Sequence, residues 1–452
     1  MSERLNIVHF ICHDLGQELG CYGKPIASPN LDRFAAEGVQ FTNAFCNSPA
    51  CSPARGCLMT GQYAHTSGGI GLAHMGWPLP QDAKTIVDYL NDAGYETAHV
   101  GLNHERHAGT NHYQIDEEKT WDDWQADNAV DGAIGYLRSR ADTDKPFYLN
   151  IGTHEVHASA YRHKADTVYG GPVPDEDVFV PLYSPELPGM RKEMGRFQAA
   201  IRFLDTQFGR LMAAIDDLNL DRNTIVLFTT DHGISNNRAK GTLYDRGVEV
   251  ALMMRLPKGM RGGYRVDHLV QHIDVTPTLL EALGIPRPAE LQGTSLWPLL
   301  AGGEYTPHEH IFIERNFHGQ KPPGQDSFAD VYDPVRSIRT PEYHYIRWMK
   351  PGAWHRPYLP WEAEQAANAD TLDGDERYRP NHRPRAPEEL YHVAHDTLEF
   401  INVADRPEYR HIKADLAAKL KQWMEQTGDF AMTDSPPEHY EERGWGENWP
   451  RE

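Results

Sequence analysis

Cys51 stands in CNSPACSPARGCLMTG (residues 46–61), with Pro53 two residues and Arg55 four residues beyond it. A cysteine just ahead of a proline that fits a first helical turn is placed at a helix start, where unpaired amides and the helix dipole favour an anion. Arg55, one turn on, lies on the same helical face and can reach back to an oxyanion held there. The same residues also suit a plain buried thiol at a helix start. Four further clusters carry reactive side-chain types: His13-Asp14, His104, His154 with His157, and Asp231-His232. Carboxylate beside imidazole suits a divalent metal, and histidine suits proton transfer near neutral pH. An aspartate or histidine at a strand end equally well caps a turn.

These clusters acquire meaning from the elements before them. LNIVHFIC (5–12), GYETAHVG (94–101), PFYLNIGT (146–153) and TIVLFTT (224–230) read as buried strands, and each ends just before one cluster. Helical patterns at 30–37, 85–93 and 194–218 separate them. Strands alternating with helices predict a mostly parallel sheet covered on both faces, whose ligands bind beyond the strand carboxyl ends. From residue 310 the texture changes. HIFIERNF, VRSIRT and YHYIRWMK read as antiparallel strands, a polar Pro-rich stretch fills 351–387, and an amphipathic helix near 409–427 precedes a polar tail expected to wrap the surface. The expected domains are 1–309, a catalytic α/β domain, and 310–452, a smaller α+β domain.

Composition excludes several classes. The 452 residues exceed one compact core, and 40% hydrophobic residues suffice for two. A net charge of −21 argues against nucleic-acid and anionic-membrane partners, while leaving a small anion bound by a few concentrated cations. No run of eighteen apolar residues predicts a membrane span. The opening MSERLNIVHFICHDLG lacks a signal-peptide pattern, so a cytoplasmic location is expected. All five cysteines lie within the first 57 residues without a C-x-x-C pair, which fits neither a disulfide framework nor a structural zinc.

CSPARGCLMTGQY resembles the sulfatase signature C-x-P-x-R followed by small residues and T-G. NIVHFICHDLG and FTTDHG occupy the places of that family's two metal-binding motifs, and LYHVAHDTLEFINVA resembles its late L-Y-D-x-x-x-D-P-x-E-x-x-N-L-A signature. The chain is similar to formylglycine-dependent sulfatases of the alkaline phosphatase superfamily over nearly its whole length. The segment after the signature and the Trp-rich end look most like the N-sulfoglucosamine sulfohydrolase group.

The resemblance implies an alkaline-phosphatase-like fold, conversion of Cys51 to formylglycine by a formylglycine-generating enzyme, and a divalent metal near residue 51. Ser52 and Pro53 resemble the residues that present the cysteine for modification. Asp14, Asp231 and His232 match metal ligands, with His232 where many sulfatases have Asn. His13 replaces the first aspartate of the family pair and either joins the metal or points away. Ca²⁺ is the family's ion, and two imidazoles would shift preference toward Mn²⁺, Zn²⁺ or Fe²⁺. His104 and His157 match the acid–base histidines, with His154 and His107 as weaker candidates. Lys240 matches a cation for the sulfate oxygens, with Arg238 its competitor, and Leu102 stands where the family has another lysine. His318, Arg336 and Arg339 are expected in the pocket wall.

The resemblance implies a small anionic sulfated substrate of the sulfated-sugar class, and a homodimer is among the expectations. Two other readings stand beside sulfate ester or sulfamate hydrolysis. One is phosphonate monoester or phosphodiester hydrolysis within the same superfamily. The other is an inactive relative that binds sulfated glycans, against which the joint presence of Cys51, Pro53 and Arg55 argues.

Overall fold

The structure, a computed structural model, describes residues 4–106, 109–118, 125–140, 143–184, 189–236, 238–317, 332–351 and 385–432. Strands β1 (Asn6–Cys12), β2 (Val39–Phe45), β3 (Glu96–Gly101), β4 (Ile115–Glu118), β5 (Phe147–Gly152), β6 (Thr224–Thr230), β7 (Leu252–Arg255) and β8 (Tyr264–Gln271) form one sheet. Their order is β4-β3-β5-β1-β6-β7-β2-β8. All neighbours run parallel except at β7, which opposes both β6 and β2. Strands β1, β5 and β6 are buried at every residue, which is why their sequences are rich in apolar residues throughout rather than alternating.

One face of the sheet is covered by the helices Pro29–Glu37, Ala126–Arg140 and Met190–Asp217. The other is covered by Cys51–Thr60, Ile86–Asp92 and Val275–Ala282. The Ile86–Asp92 helix begins with a capping box in which the Thr85 amide donates to the Asp88 carboxylate at 2.7 Å.

Strands β9 (Ile311–Phe317), β10 (Tyr332–Arg339), β11 (Tyr343–Trp348) and β12 (Glu388–His392) make a second, antiparallel sheet in the order β12-β11-β10-β9. The helix Arg410–Thr427 packs on it through Leu416, Leu420, Trp423 and Met424. Ile311, Ile313, Val335 and Ile346 continue the large sheet's core on that side, so apolar packing joins the two sheets directly. This is the α/β architecture expected from the sequence. Strands β2, β4, β7 and β8 were not among the expected elements. Residues 352–384, most of the Pro-rich stretch, and 433–452, most of the tail, lie outside the described residues.

Candidate active site

The strand register brings the clusters together. Strands β3, β5, β1 and β6 are consecutive in the sheet. Gly101 pairs with Gly152, Gly152 with Ile11, and Cys12 with Thr230, so four parallel strands end at one level. A Cβ on Gly152 would lie 2.0 Å from the Leu102 carbonyl oxygen, so only glycine permits that shared end. Asp14 adopts φ +48°, a region that non-glycine residues rarely occupy. Its amide donates to Asp231 Oδ1 at 2.9 Å, which ties the two strand ends together.

Cys51 opens the helix over the same edge, and all ten residues of that helix are buried. Arg55 reaches back from one turn on, with Nε 3.5 Å from Asp231 Oδ2 and an Nη donating to the Cys12 carbonyl at 3.3 Å. His232 Nδ1 donates to the Gly233 carbonyl at 2.9 Å, which leaves Nε2 bare. That Nε2 lies 3.4 Å from Cys51 Sγ, 3.5 Å from Asp14 Oδ1 and 3.7 Å from Asp231 Oδ1. Lys240 Nζ donates to both Asp14 oxygens, at 2.9 and 2.8 Å.

His13 points into the site. Its Nδ1 is 2.8 Å from Asp231 Oδ2, yet neither atom has an aligned hydrogen bond, and both are buried. Ligand atoms of His13, Asp14, Cys51 and Asp231 all lie within 4.8 Å of one another. Neighbouring ligands of one divalent ion are held roughly 3 Å apart, and two unpartnered donors at that separation suit a shared cation. Two carboxylates and two imidazoles thus fit a divalent metal. Burial alone would raise the Asp231 carboxyl, but His232 and His13 outweigh it and hold it well below the usual range.

The thiols are unequal. Burial pushes Cys12, Cys46 and Cys57 well up, and burial with Asp32 pushes Cys21 up to about 12. Burial acts on Cys51 too, but Lys240, His13, His232 and His104 overcome it and hold that thiol well below its ordinary value. Cys51 alone is electrostatically prepared to carry negative charge.

Three imidazoles form the rim. His157 Nδ1 accepts from the Ser159 amide at 3.3 Å, capping the helix Ala158–Lys164. Its proton is thereby placed on Nε2, which lies 3.8 Å from Asp14 Oδ2 at a side chain 27% exposed. His104 lies against Cys51 and His13, and its Nε2 is 3.0 Å from Nδ1 of His74. His154 sits behind, linked to Ser159 Oγ at 3.1 Å.

Other expected pocket residues lie elsewhere. Arg238 turns toward the second sheet, donating to the Glu399 carbonyl and lying over the Tyr244 ring at 4.0 Å. Arg336 is buried on Asp429 at 2.5 and 2.7 Å, and Arg339 on Asp245 at 2.9 to 3.2 Å. Both are structural ion pairs rather than pocket walls. Leu102 is buried, apolar where the family carries a cation. His107 and His318 lie outside the described residues. A cavity of about 680 Å³ beside the antiparallel sheet, lined in part by Tyr332, Trp348 and Lys350, contains none of the clustered groups. His74 is the pocket residue that sequence reasoning missed; the signal was a histidine between Gly71 and Gly76 just beyond the cysteine helix.

A family model described as Sulfatase matches residues 6–285, and one described as N-sulphoglucosamine sulphohydrolase, C-terminal, matches 231–356. The chain belongs to the sulfatase family. This sulfatase is 27% identical to an ulvan-active sulfatase of Formosa agariphila over 95% of its own chain and 82% of that protein. It is 25% identical to the N-sulphoglucosamine sulphohydrolase of Homo sapiens over 94% and 90% of the two chains. Its fold matches a solved 2-O GAG sulfatase with TM-score 0.72 at 22% identity, covering 94% and 93% of the chains. A phosphonate monoester hydrolase of Agrobacterium radiobacter shares the fold with TM-score 0.70 at 17% identity, covering 94% and 96%.

Proposed function

We propose that this sulfatase hydrolyses a sulfate ester or sulfamate of a sulfated sugar at residue 51, after conversion of the Cys51 thiol to formylglycine. The observation that carries the reading is the placement of Cys51 at a helix start, with His232 Nε2 3.4 Å from its sulfur and His13, Asp14 and Asp231 clustered around it. When formed, the formylglycine supplies a hydrated aldehyde as nucleophile. Asp14, Asp231, His13 and His232 would hold a divalent ion, which supplies positive charge toward the sulfuryl oxygens. The mixed nitrogen and oxygen donor set extends the choice of ion beyond Ca²⁺ to Mn²⁺ and Zn²⁺.

The chain's own groups divide the remaining work. Arg55 faces the charge that builds on the sulfuryl group. Lys240 acts through Asp14, whose two oxygens it holds, and steadies that carboxylate's position. His157, with its proton fixed on Nε2 at the open side, is placed to protonate the leaving oxygen or nitrogen. His104, packed on residue 51, is placed to take a proton there. Formylglycine at Cys51 requires a formylglycine-generating enzyme as a maturation partner. The sugar class follows the names of the relatives, one ulvan-active and one acting on N-sulphoglucosamine.

The reading is tested by weighing the tryptic peptide 34–55 from protein co-expressed with a formylglycine-generating enzyme, then screening N-sulfated and O-sulfated glucosamines. Aldehyde at residue 51 with turnover of a sulfated sugar is expected. Unmodified thiol, with the maturation enzyme active on a control peptide, overturns it. A second reading, phosphodiester or phosphonate monoester hydrolysis, draws on Leu102 in place of a cation. A singly charged diester needs fewer positive groups. Side-by-side rates on an aryl sulfate and an aryl phosphodiester separate the two.

A further inference from the structure

His74 belongs to no element of the signature, yet the structure places it on the reacting side. It lies in the turn Ala73–Met75, closed by Gly76 at φ +92°. The Ala73 amide donates to Ser52 Oγ at 2.9 Å, so the turn is fastened to the residue beside Cys51. Behind it Trp77 is buried and stacks on Phe317 with ring centroids 4.4 Å apart. The imidazoles of His74 and His104 lie nearly parallel, 10° apart with centroids separated by 5.2 Å. His74 Nδ1 and His104 Nε2 are 3.0 Å apart, so one nitrogen must donate and the other accept. His104 Nδ1 is buried without a hydrogen-bond partner, on the imidazole that lies against Cys51 and His13.

We propose that His74 is a positioning residue for His104: by accepting from His104 Nε2 it holds that histidine's proton on Nε2 and leaves Nδ1 with a bare lone pair on the imidazole beside residue 51. This rests on the reading that His104 takes a proton at residue 51. A neutral histidine has two tautomers, and only one of them presents a lone pair there. With His74 as acceptor its own ring proton sits on Nε2, at the half-buried rim. A side chain unable to accept would release His104 to the other tautomer, and also to rotation.

The test compares the mature, metal-loaded wild type with His74→Leu, His74→Asn and His104→Asn, using 4-nitrophenyl sulfate. Proton removal at residue 51 follows sulfuryl transfer, so its loss lowers kcat and KM together and spares kcat/KM. For His74→Leu we expect kcat and KM each to fall about tenfold with kcat/KM nearly unchanged, an effect of the size orienting partners have. His74→Asn, whose Oδ1 can accept near the position of Nδ1, restores most of kcat. Intact-protein mass spectrometry during turnover should show the added mass of one SO₃ group accumulating in His74→Leu and His104→Asn but not in the wild type. The preserved kcat/KM doubles as the control for folding. If His104→Asn accumulates the adduct and His74→Leu does not, the positioning role is overturned while the role of His104 stands. If neither accumulates it, both roles fall. If Asn rescues no better than Leu, a hydrogen bond is not what His74 provides, and the proposal fails.

Discussion

His344 on β11 should make stability fall as pH rises, through contacts that lie between the two sheets. Its Nδ1 is 2.6 Å from Glu399 Oε1 and 3.5 Å from Asp245 Oδ1, and Arg339 pairs with the same aspartate. Burial by itself would push the imidazole down, but Glu399 and Asp245 prevail and raise it to about 9. In the unfolded chain it returns to the ordinary value of 6.5. At about 1.4 kcal/mol per pH unit, the gap amounts to about 3 kcal/mol. Because the folded value is the raised one, this stabilisation is complete below pH 6.5 and is lost as pH rises through about 9. Urea unfolding of the wild type and of His344→Gln at pH 6, 7.5 and 9.5 measures it, since titrations elsewhere cancel in the difference. The wild-type advantage should shrink by most of that amount across the series. Parallel curves for the two proteins would refute the assignment of a charged His344.

Further outcomes follow from the same contacts. Cys51→Ala should abolish turnover of any sulfated substrate while leaving the melting temperature close to wild type, checked by activity and calorimetry together. Divalent ions at a hundredfold excess over Kd should stabilise the protein by about 3 kcal/mol, and Asp231→Asn should remove most of that response in a thermal-shift titration. Gly233→Ala brings a Cβ to 1.9 Å from the Arg246 carbonyl oxygen, so it should cost about 1–3 kcal/mol in urea and displace His232 enough to suppress activity. Arg336→Met leaves Asp429 buried without its cation and Glu314 with His65 alone, and should cost about 3–5 kcal/mol by the same measurement.

The central strands were legible because a strand covered on both faces is mostly apolar, and β1, β5 and β6 are apolar-rich with only a few buried polar residues such as His9 and Asn150. The clusters after them were legible for the related reason that polarity resumes where the strand leaves the core. Strand β4, IDEE, is nearly all polar and sits at the sheet edge beside β3; β2, VQFTNAF, mixes polar and apolar residues and owes its pairing to β7 and β8, distant in sequence. The arginines were misread for the same reason. Nothing near Arg336 or Arg339 in sequence announces Asp429 or Asp245, so a cation in the second sheet could not be told from one facing the pocket. His13 is the converse. Its residue type departs from the family pattern and the sequence left its direction open; the fold settles it by bringing Nδ1 to 2.8 Å from Asp231 Oδ2.

The helix that begins at Cys51 has no exposed face: each of its ten residues is buried, and Cys51 itself is 2% accessible. An enzyme that alters this side chain must grip several residues of backbone around it, and the finished fold offers none. If Cys51 is converted as proposed, the conversion becomes a matter of biosynthetic timing. It would have to precede the closure of β6 and the loop carrying Lys240 over residues 46–61. On that proposal, a molecule that closed first would keep its thiol out of an enzyme's reach. A preparation would then be a fixed mixture of competent and incompetent copies, set by the race between modification and folding and unchanged by any later incubation with the modifying enzyme.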